Sequence, residues 1–217
     1  MKKYEIILFD LDGTLTDPKL GITKSVQYAL SKYDIKITNL DELEKFIGPP
    51  LAQSFKEYYS LDDEKIKGAI EQYREYFCEK GMYENRIYAN VKEVLETLFK
   101  KGYILVVATS KPTVFAEQIL EYFEIGNYFD LVVGSNLDGT RTDKAEIIEF
   151  IFSILDIKYL EEVIMVGDRK HDIIGAKKTG IDSIAVTYGY GSYEELKEEN
   201  PTYFAKTIED ILKIVEV

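Results

Sequence analysis

The 217-residue chain is 46% apolar and 13% aromatic, which excludes disorder as its main state, and it is long enough to bury about 70% of its unfolded surface. It carries 39 acidic against 27 basic residues, a net charge of −12, and such a surface repels phosphate backbones, which argues against a nucleic-acid polymer as partner. A single cysteine, Cys78, excludes an intrachain disulfide and suits a reducing cytoplasm. No apolar run approaches the ~20 residues of a membrane-spanning helix, and the short run that ends at Asp10 does not read as a leader, so a cytoplasmic protein with no membrane partner is expected.

The first predicted element is a compact, Ile-rich buried strand over residues 5–9. The next strand begins only near residue 103, although a single crossover takes about 30 residues. The interval has no convincing strand and reads as helices over residues 20–32, 40–46, 51–59 and 63–80. We read residues 17–83 as a helical insertion, a small second domain, and residues 1–16 with 84–217 as the body that receives it. Beyond the insertion, helices are predicted over 91–101, 113–123, 144–156, 171–179 and 208–215. They alternate with strands over 103–108, 130–133, 163–166 and 183–187. That alternation predicts an α/β fold: a doubly wound, mainly parallel, Rossmann-like sheet with right-handed crossovers.

Four chemical features fall just after predicted strand ends, where open α/β sheets bind ligands. The first is Phe9-Asp10-Leu11-Asp12-Gly13-Thr14-Leu15. Two aspartates at i and i+2 of an extended segment point the same way. Carboxylates that close repel unless a cation or proton lies between them, and Mg²⁺ prefers such oxygen ligands. Alone, Asp-x-Asp-Gly is also an ordinary polar turn. The second is Thr109-Ser110-Lys111-Pro112, where hydroxyls and a helix start suit a phosphate oxygen. The third is Arg141-Thr142-Asp143-Lys144: a lysine in a first helical turn opposes the dipole and is better explained if it faces an anion. The fourth is Gly167-Asp168-Arg169-Lys170-His171-Asp172, an acid at a strand tip with a second acid four residues on. By themselves the second and third read as an N-cap and a solvated lysine. The order of all four, each at a strand tip, is the stronger signal.

Taken together, Asp10-Leu11-Asp12-Gly13-Thr14, Thr109, Lys144, and Gly167-Asp168 with Asp172 resemble the four motifs of the haloacid dehalogenase superfamily, over essentially the whole chain. The insertion after the first motif is similar to the helical C1-type cap of its phosphoglycolate phosphatase-like and 5′-nucleotidase-like branch. The resemblance implies a Mg²⁺-dependent phosphatase acting on a small phosphate monoester through an aspartyl phosphate. It makes Asp10 the nucleophile and Asp12 the acid and then base. Lys144 would balance charge on Asp10 and the phosphoryl oxygens, while Thr109, the N–H of Ser110 and Gly13 would hold those oxygens. The metal set would be Asp10, Asp12 through its carbonyl, and Asp168, with Asp172 acting through water or from behind. Dehalogenases and phosphonate-cleaving members lack the second acid, so the presence of Asp12 argues against both. Sugar-phosphate mutases of the family carry a cap histidine after the first motif. The single histidine here is His171, read as a locally bonded residue. Nucleotidase, pyrophosphatase and mutase activities remain the alternatives.

The insertion carries 10 basic and 12 acidic residues over Asp17–Tyr83, so it is no strong anion trap. Its stiff Gly48-Pro49-Pro50 turn is expected to help select the leaving group, with Lys24 as a weaker candidate. Tyr28, Tyr58 and Tyr59 are expected to pack its helices, as is Cys78. Ser192-Tyr193-Glu194-Glu195 reads as a capping box. The expected partner is a small phosphorylated metabolite, and the expected state a monomer or homodimer.

Overall fold

The structure is a computed structural model and describes residues 3–216. In chain order its elements are β1 (Ile6–Phe9), β2 (Thr16–Asp17), α1 (Lys19–Ser31), a 3-10 helix (Leu40–Phe46), α2 (Leu51–Tyr59), α3 (Asp63–Tyr76), a π-turn (Phe77–Gly81), β3 (Arg86–Ile87), α4 (Val91–Lys100), β4 (Ile104–Pro112), α5 (Thr113–Tyr122), β5 (Leu131–Ser135), α6 (Lys144–Leu155), β6 (Val163–Gly167), α7 (Lys170–Thr179), β7 (Asp182–Val186), α8 (Tyr193–Glu198), β8 (Tyr203–Ala205) and α9 (Asp210–Val215). Two compact units result: Met1–Thr16 with Ile87–Val217, and Asp17–Arg86. Among the described residues no helix is long and apolar enough to cross a membrane.

The first unit is the expected α/β fold. Its six-stranded sheet runs β5-β4-β1-β6-β7-β8, with every pairing parallel. β1 lies between β4 and β6, Leu8 opposite Val106 and Met165. All four β1 residues are buried, as a strand covered on both faces requires. Leu8, Val106 and Met165 pack with Ile147, Ile148 and Ile151 of α6 and Ala176 of α7 in one apolar cluster. Truncating such a side chain to alanine costs about 2–5 kcal/mol. This packing fixes the strand tips that carry the chemistry. In this unit β8 has no counterpart in the sequence reading, and α8 is marked there only by the expected capping box at its start. Ser192 Oγ does cap α8, accepting from the Glu195 N–H at 3.0 Å. The Glu195 carboxylate instead accepts from Arg169 Nε at 3.0 Å and the Lys170 N–H at 3.1 Å, so only half of the expected capping box forms.

In the second unit α1 packs on α3 and on the 3-10 helix. Phe46 is buried, its ring 5.1 Å from Phe55, 5.7 Å from Tyr58 and 6.0 Å from Tyr59. Tyr28 lies 5.7 Å from Tyr76 and donates to Glu75 at 2.9 Å. The tyrosines thus pack the helices as expected. Asp62 caps α3 by accepting the Lys65 N–H, and Ser60, in the left-handed region at φ 51°, ends α2. Residues 40–46 form the expected helix, in 3-10 form. One helix departs from its expected bounds: α3 stops at Tyr76, four residues early, in a π-turn. A π-turn inserts a residue into the helical repeat, so Phe77 is buried while Cys78 is exposed and does not pack.

Candidate active site

Where β1 ends, the Asp10 N–H donates to the Val166 carbonyl at 2.9 Å. The chain then turns back. The Leu11 carbonyl accepts from Leu15 at 2.9 Å and Thr16 at 3.0 Å, and the Gly13 N–H donates to the Thr16 carbonyl at 2.8 Å. Gly13 has φ +84°, and a β-carbon there would sit 2.1 Å from Asp168 Oδ2. Only glycine meets both demands. Its N–H is therefore engaged in the turn, and its contribution is the missing side chain.

Asp10 and Asp12 are both buried, yet they meet different neighbours. Asp10 Oδ1 accepts from Lys144 Nζ at 3.0 Å. The same ammonium donates to the Ala108 carbonyl at 2.7 Å and lies 2.8 Å from Asp172 Oδ1. Lys144 is the first residue of α6, where Asp143 supplies the cap by accepting the Ala145 N–H at 2.8 Å. Its stem crosses α7 at Gly175, where a β-carbon would come within 2.7 Å of Lys144 Cγ. Burial pulls the Lys144 ammonium down, but Asp10 and Asp172 outweigh it and hold the group above the usual lysine range.

Asp168 follows β6 and is fully buried. Its Oδ2 accepts the Tyr190 N–H at 2.7 Å, and its Oδ1 the Thr14 hydroxyl at 3.3 Å. Tyr188 donates to the Thr14 carbonyl at 2.8 Å. The loop after β7 thus clasps the loop after β1 through Asp168 and Thr14. Asp172, in the first turn of α7, accepts the Arg169 N–H at 3.0 Å. Asp10, Asp168 and Asp172 each offer a carboxylate oxygen within 4.8 Å of the others. Burial and then the neighbouring carboxylates push Asp168 well above the usual carboxylate range. Burial raises Asp172 to about 6, against the pull of Lys144. Three buried carboxylates facing one ammonium carry an excess of negative charge, and a hard divalent cation with oxygen ligands fits such a set. The Asp12 carboxylate is not part of that group.

Thr109 is buried and Ser110 half-buried at the end of β4. Thr109 Oγ1 accepts the Lys111 N–H at 3.3 Å, and Ser110 Oγ donates to the Thr142 carbonyl at 3.1 Å. Asp10, Asp12, Gly13, Thr109, Ser110, Lys144, Asp168 and Asp172 therefore all belong to the strand tips of the α/β unit. Gly48 and Lys24 belong to the helical unit. Gly48 follows the 3-10 helix at φ +101°, and Lys24 Nζ is paired with Glu84 at 2.5 Å. His171 is half-buried in the first turn of α7, where burial, Arg169 and Lys170 lower its imidazole below the usual range.

One site residue escaped the sequence reading. Lys111 Nζ lies 2.6 Å from Asp12 Oδ2, with both side chains buried. Burial raises Asp12 above the usual carboxylate range, and Lys111 opposes the rise. The signal lay in the spacing: on a strand, Lys111 shares a face with Thr109, as Asp12 does with Asp10.

A family model for haloacid dehalogenase-like hydrolases matches residues 7–186. A 5′-nucleotidase of Pseudomonas aeruginosa is 45% identical over 216 residues, which span 99% of this chain and 96% of that protein. A phosphoglycolate phosphatase of Vibrio parahaemolyticus is 30% identical across 98% of this chain and 96% of its own length. The crystal structure of a predicted phosphatase from Clostridium acetobutylicum matches with a TM-score of 0.95 at 51% identity, covering 99% of each chain.

Proposed function

The chain belongs to the haloacid dehalogenase-like hydrolase family and is a phosphatase of it, and on that premise we propose that it hydrolyses a small phosphate monoester with Mg²⁺ through an aspartyl-phosphate intermediate. The observation that carries this reading is the division of two neighbouring aspartates between two environments. Asp10 joins Lys144, Asp168 and Asp172, while Asp12 stands apart on Lys111. Carboxylates held in different surroundings suit different roles in one reaction.

In the first step an Asp10 oxygen bonds to phosphorus, the ester P–O bond breaks, and Asp12 gives its proton to the departing oxygen. In the second, Asp12 takes a proton from water, the water oxygen bonds to phosphorus, and the bond from Asp10 to phosphorus breaks to release phosphate. Lys144 balances negative charge on Asp10 and the phosphoryl oxygens, which the Thr109 hydroxyl and the Ser110 N–H hold. Asp10, the Asp12 main-chain carbonyl and Asp168 are the groups that would hold Mg²⁺, with Asp172 acting through water or from behind. When bound, the ion lowers the repulsion between carboxylate and phosphate dianion and offsets the charge that develops.

In this reading the α/β unit is the catalytic body and the helical unit a cap that reads the leaving group, the Gly48-Pro49-Pro50 turn among its contacts. The protein works in the cytoplasm as a monomer or homodimer. The 45% identity to a 5′-nucleotidase favours a nucleoside 5′-monophosphate as substrate over phosphoglycolate, the substrate that the 30% relative's name supports. Phosphate release with Mg²⁺ from nucleotides, phosphoglycolate, sugar phosphates and pyrophosphate tests this. Nucleotides should lead in kcat/KM by at least about tenfold, which corresponds to 1.4 kcal/mol of transition-state preference. A lead for phosphoglycolate assigns the second substrate. No release from any ester overturns the phosphatase reading.

A further inference from the structure

Lys111 has no part in the chemistry above, yet it is a lysine buried at the site. Its backbone is held firmly. Its N–H donates to Thr109 Oγ1 at 3.3 Å, and the preceding Ser110 carbonyl accepts from Ser135 Oγ at 2.9 Å. Gly134 lies so close that a β-carbon there would sit 2.1 Å from the Lys111 carbonyl oxygen. The β4–β5 register shifts between Ala108 and Pro112, which places this irregular stretch where the strand passes Asp12. An ammonium on so fixed a base has a definite reach, and it ends 2.6 Å from Asp12 Oδ2.

The consequence is an asymmetric carboxyl group. Asp12 Oδ2 is taken by Lys111, while Asp12 Oδ1 is buried and accepts no hydrogen bond from the described residues. A buried carboxylate oxygen without a donor is costly, and at a reacting centre it marks the atom reserved for a partner that arrives with the substrate. We propose that Lys111 is a positioning residue for Asp12: it holds the carboxyl group by Oδ2 so that Oδ1 is the atom that exchanges the proton with the leaving oxygen. The proposal rests on the acid role of Asp12 in the reading above. Lys144 serves a different end, since it touches Asp10 and Asp172 and not Asp12.

The test is a series of phosphate esters with leaving groups from p-nitrophenol to a simple alcohol, with kcat and KM measured for wild type, Lys111→Met, Lys111→Arg, Asp12→Asn and the double variant Asp12→Asn/Lys111→Met. A good leaving group departs without a proton, and a poor one does not. Because Asp12 also serves the later hydrolysis step that every ester shares, the comparison is made in kcat/KM, which reads only through departure of the leaving group: Lys111→Met should lower kcat/KM for alkyl phosphates by about ten- to a hundredfold, within the range that general acid catalysis supplies. It should lower kcat/KM for p-nitrophenyl phosphate by less than about threefold, and leave inhibition by inorganic phosphate within about twofold. Lys111→Arg, which keeps a donor to the carboxylate, should recover part of the loss. In the Asp12→Asn background, the added Lys111→Met should change kcat by less than about twofold, because the residue it serves is already disabled.

Several results overturn the proposal. A parallel rise in KM and in the inhibition constant of phosphate for every ester makes Lys111 a phosphate ligand. An equal fall of kcat/KM for all leaving groups, with phosphate inhibition unchanged, makes it structural. If Lys111→Met loses its fold, the Asp12→Asn pair carries the decision, since it leaves no unpaired carboxylate: equal kcat supports the proposal and a further fall overturns it. A wild type inactive on every ester overturns the phosphatase reading and this one with it. An active wild type with a uniform loss in Lys111→Met overturns this one alone.

Discussion

The loops at the strand tips and the helices of residues 17–86 hold themselves together in different ways. At the tips, charged groups are satisfied by one another at short range, as with Lys144 on Asp10, Asp172 and the Ala108 carbonyl. Glycines there are pressed against carboxylates with no space for a β-carbon. The helical unit is instead joined by rings, Phe46 against Phe55, Tyr58 and Tyr59, with its ion pairs out on the surface, such as Lys56–Asp63. Packed charges tolerate almost no substitution, because removing one strands the others. Exposed pairs tolerate many, because surface pairs contribute only about 0–1 kcal/mol, and buried rings such as Phe46 and Phe55 accept other apolar groups of similar volume. One region is built to keep a single chemistry, and the other has room to change what it recognises.

The largest expected effect tests the rigid side. Asp10→Asn should leave the circular dichroism spectrum unchanged and reduce kcat by about four orders of magnitude or more, as losing a covalent nucleophile does. Near-normal turnover would break the contrast at its root. Removal of divalent metal comes next. Chelation should stop phosphate release and Mg²⁺ restore it, whereas Ca²⁺, with its looser and larger shell, should not. Full activity after exhaustive chelation would mean that the Asp10, Asp168 and Asp172 cluster holds no metal that turnover needs.

Asp12→Asn should cost less and unevenly in kcat/KM, which reads through departure of the leaving group: about 10²- to 10⁴-fold for alkyl phosphates and much less for nitrophenyl phosphate. Equal losses would merge the two aspartates into one role. The smallest effect is expected in the helical unit. Replacing Gly48-Pro49-Pro50 by a flexible turn should change the ratio of kcat/KM between a nucleotide and phosphoglycolate by about tenfold, within what a few contacts contribute to specificity. The Mg²⁺ requirement should stay the same. A common factor for every ester would move specificity elsewhere.

What could be read in advance followed from periodicity. An unbroken Ile-Ile-Leu-Phe run ending in Asp10 and Asp12 gives both the central strand and the two acids, because burial and the two-residue repeat act locally. Lys144 was legible as a charge on the wrong end of a helix. Lys111 was not, since Ser110-Lys111-Pro112 looks like a helix entrance, while the structure carries β4 through to Pro112. Only the partner at Asp12, 99 positions away along the chain, gives that lysine a meaning. β8 was hidden for a similar reason: Tyr203–Ala205 is too short to show a period and becomes a strand by pairing with β7. The π-turn after Tyr76 is likewise a choice of packing, in which Phe77 goes inward and Cys78 out.

The 134 positions between Asp10 and Lys144 also have a consequence in time. A ribosome adds about 5–20 residues per second, so the two aspartates emerge roughly ten to thirty seconds before the lysine and acids that complete their surroundings. Throughout that interval β1 lacks β6 and Asp10 lacks the lysine that meets it, although Lys111, the partner of Asp12, is made earlier. The sheet closes around its first strand only when its later strands arrive, a non-local order that slows folding. Catalytic competence is thus among the last properties the growing chain acquires, and a prematurely terminated product ending before residue 144 would hold the reactive aspartates without the means to use them.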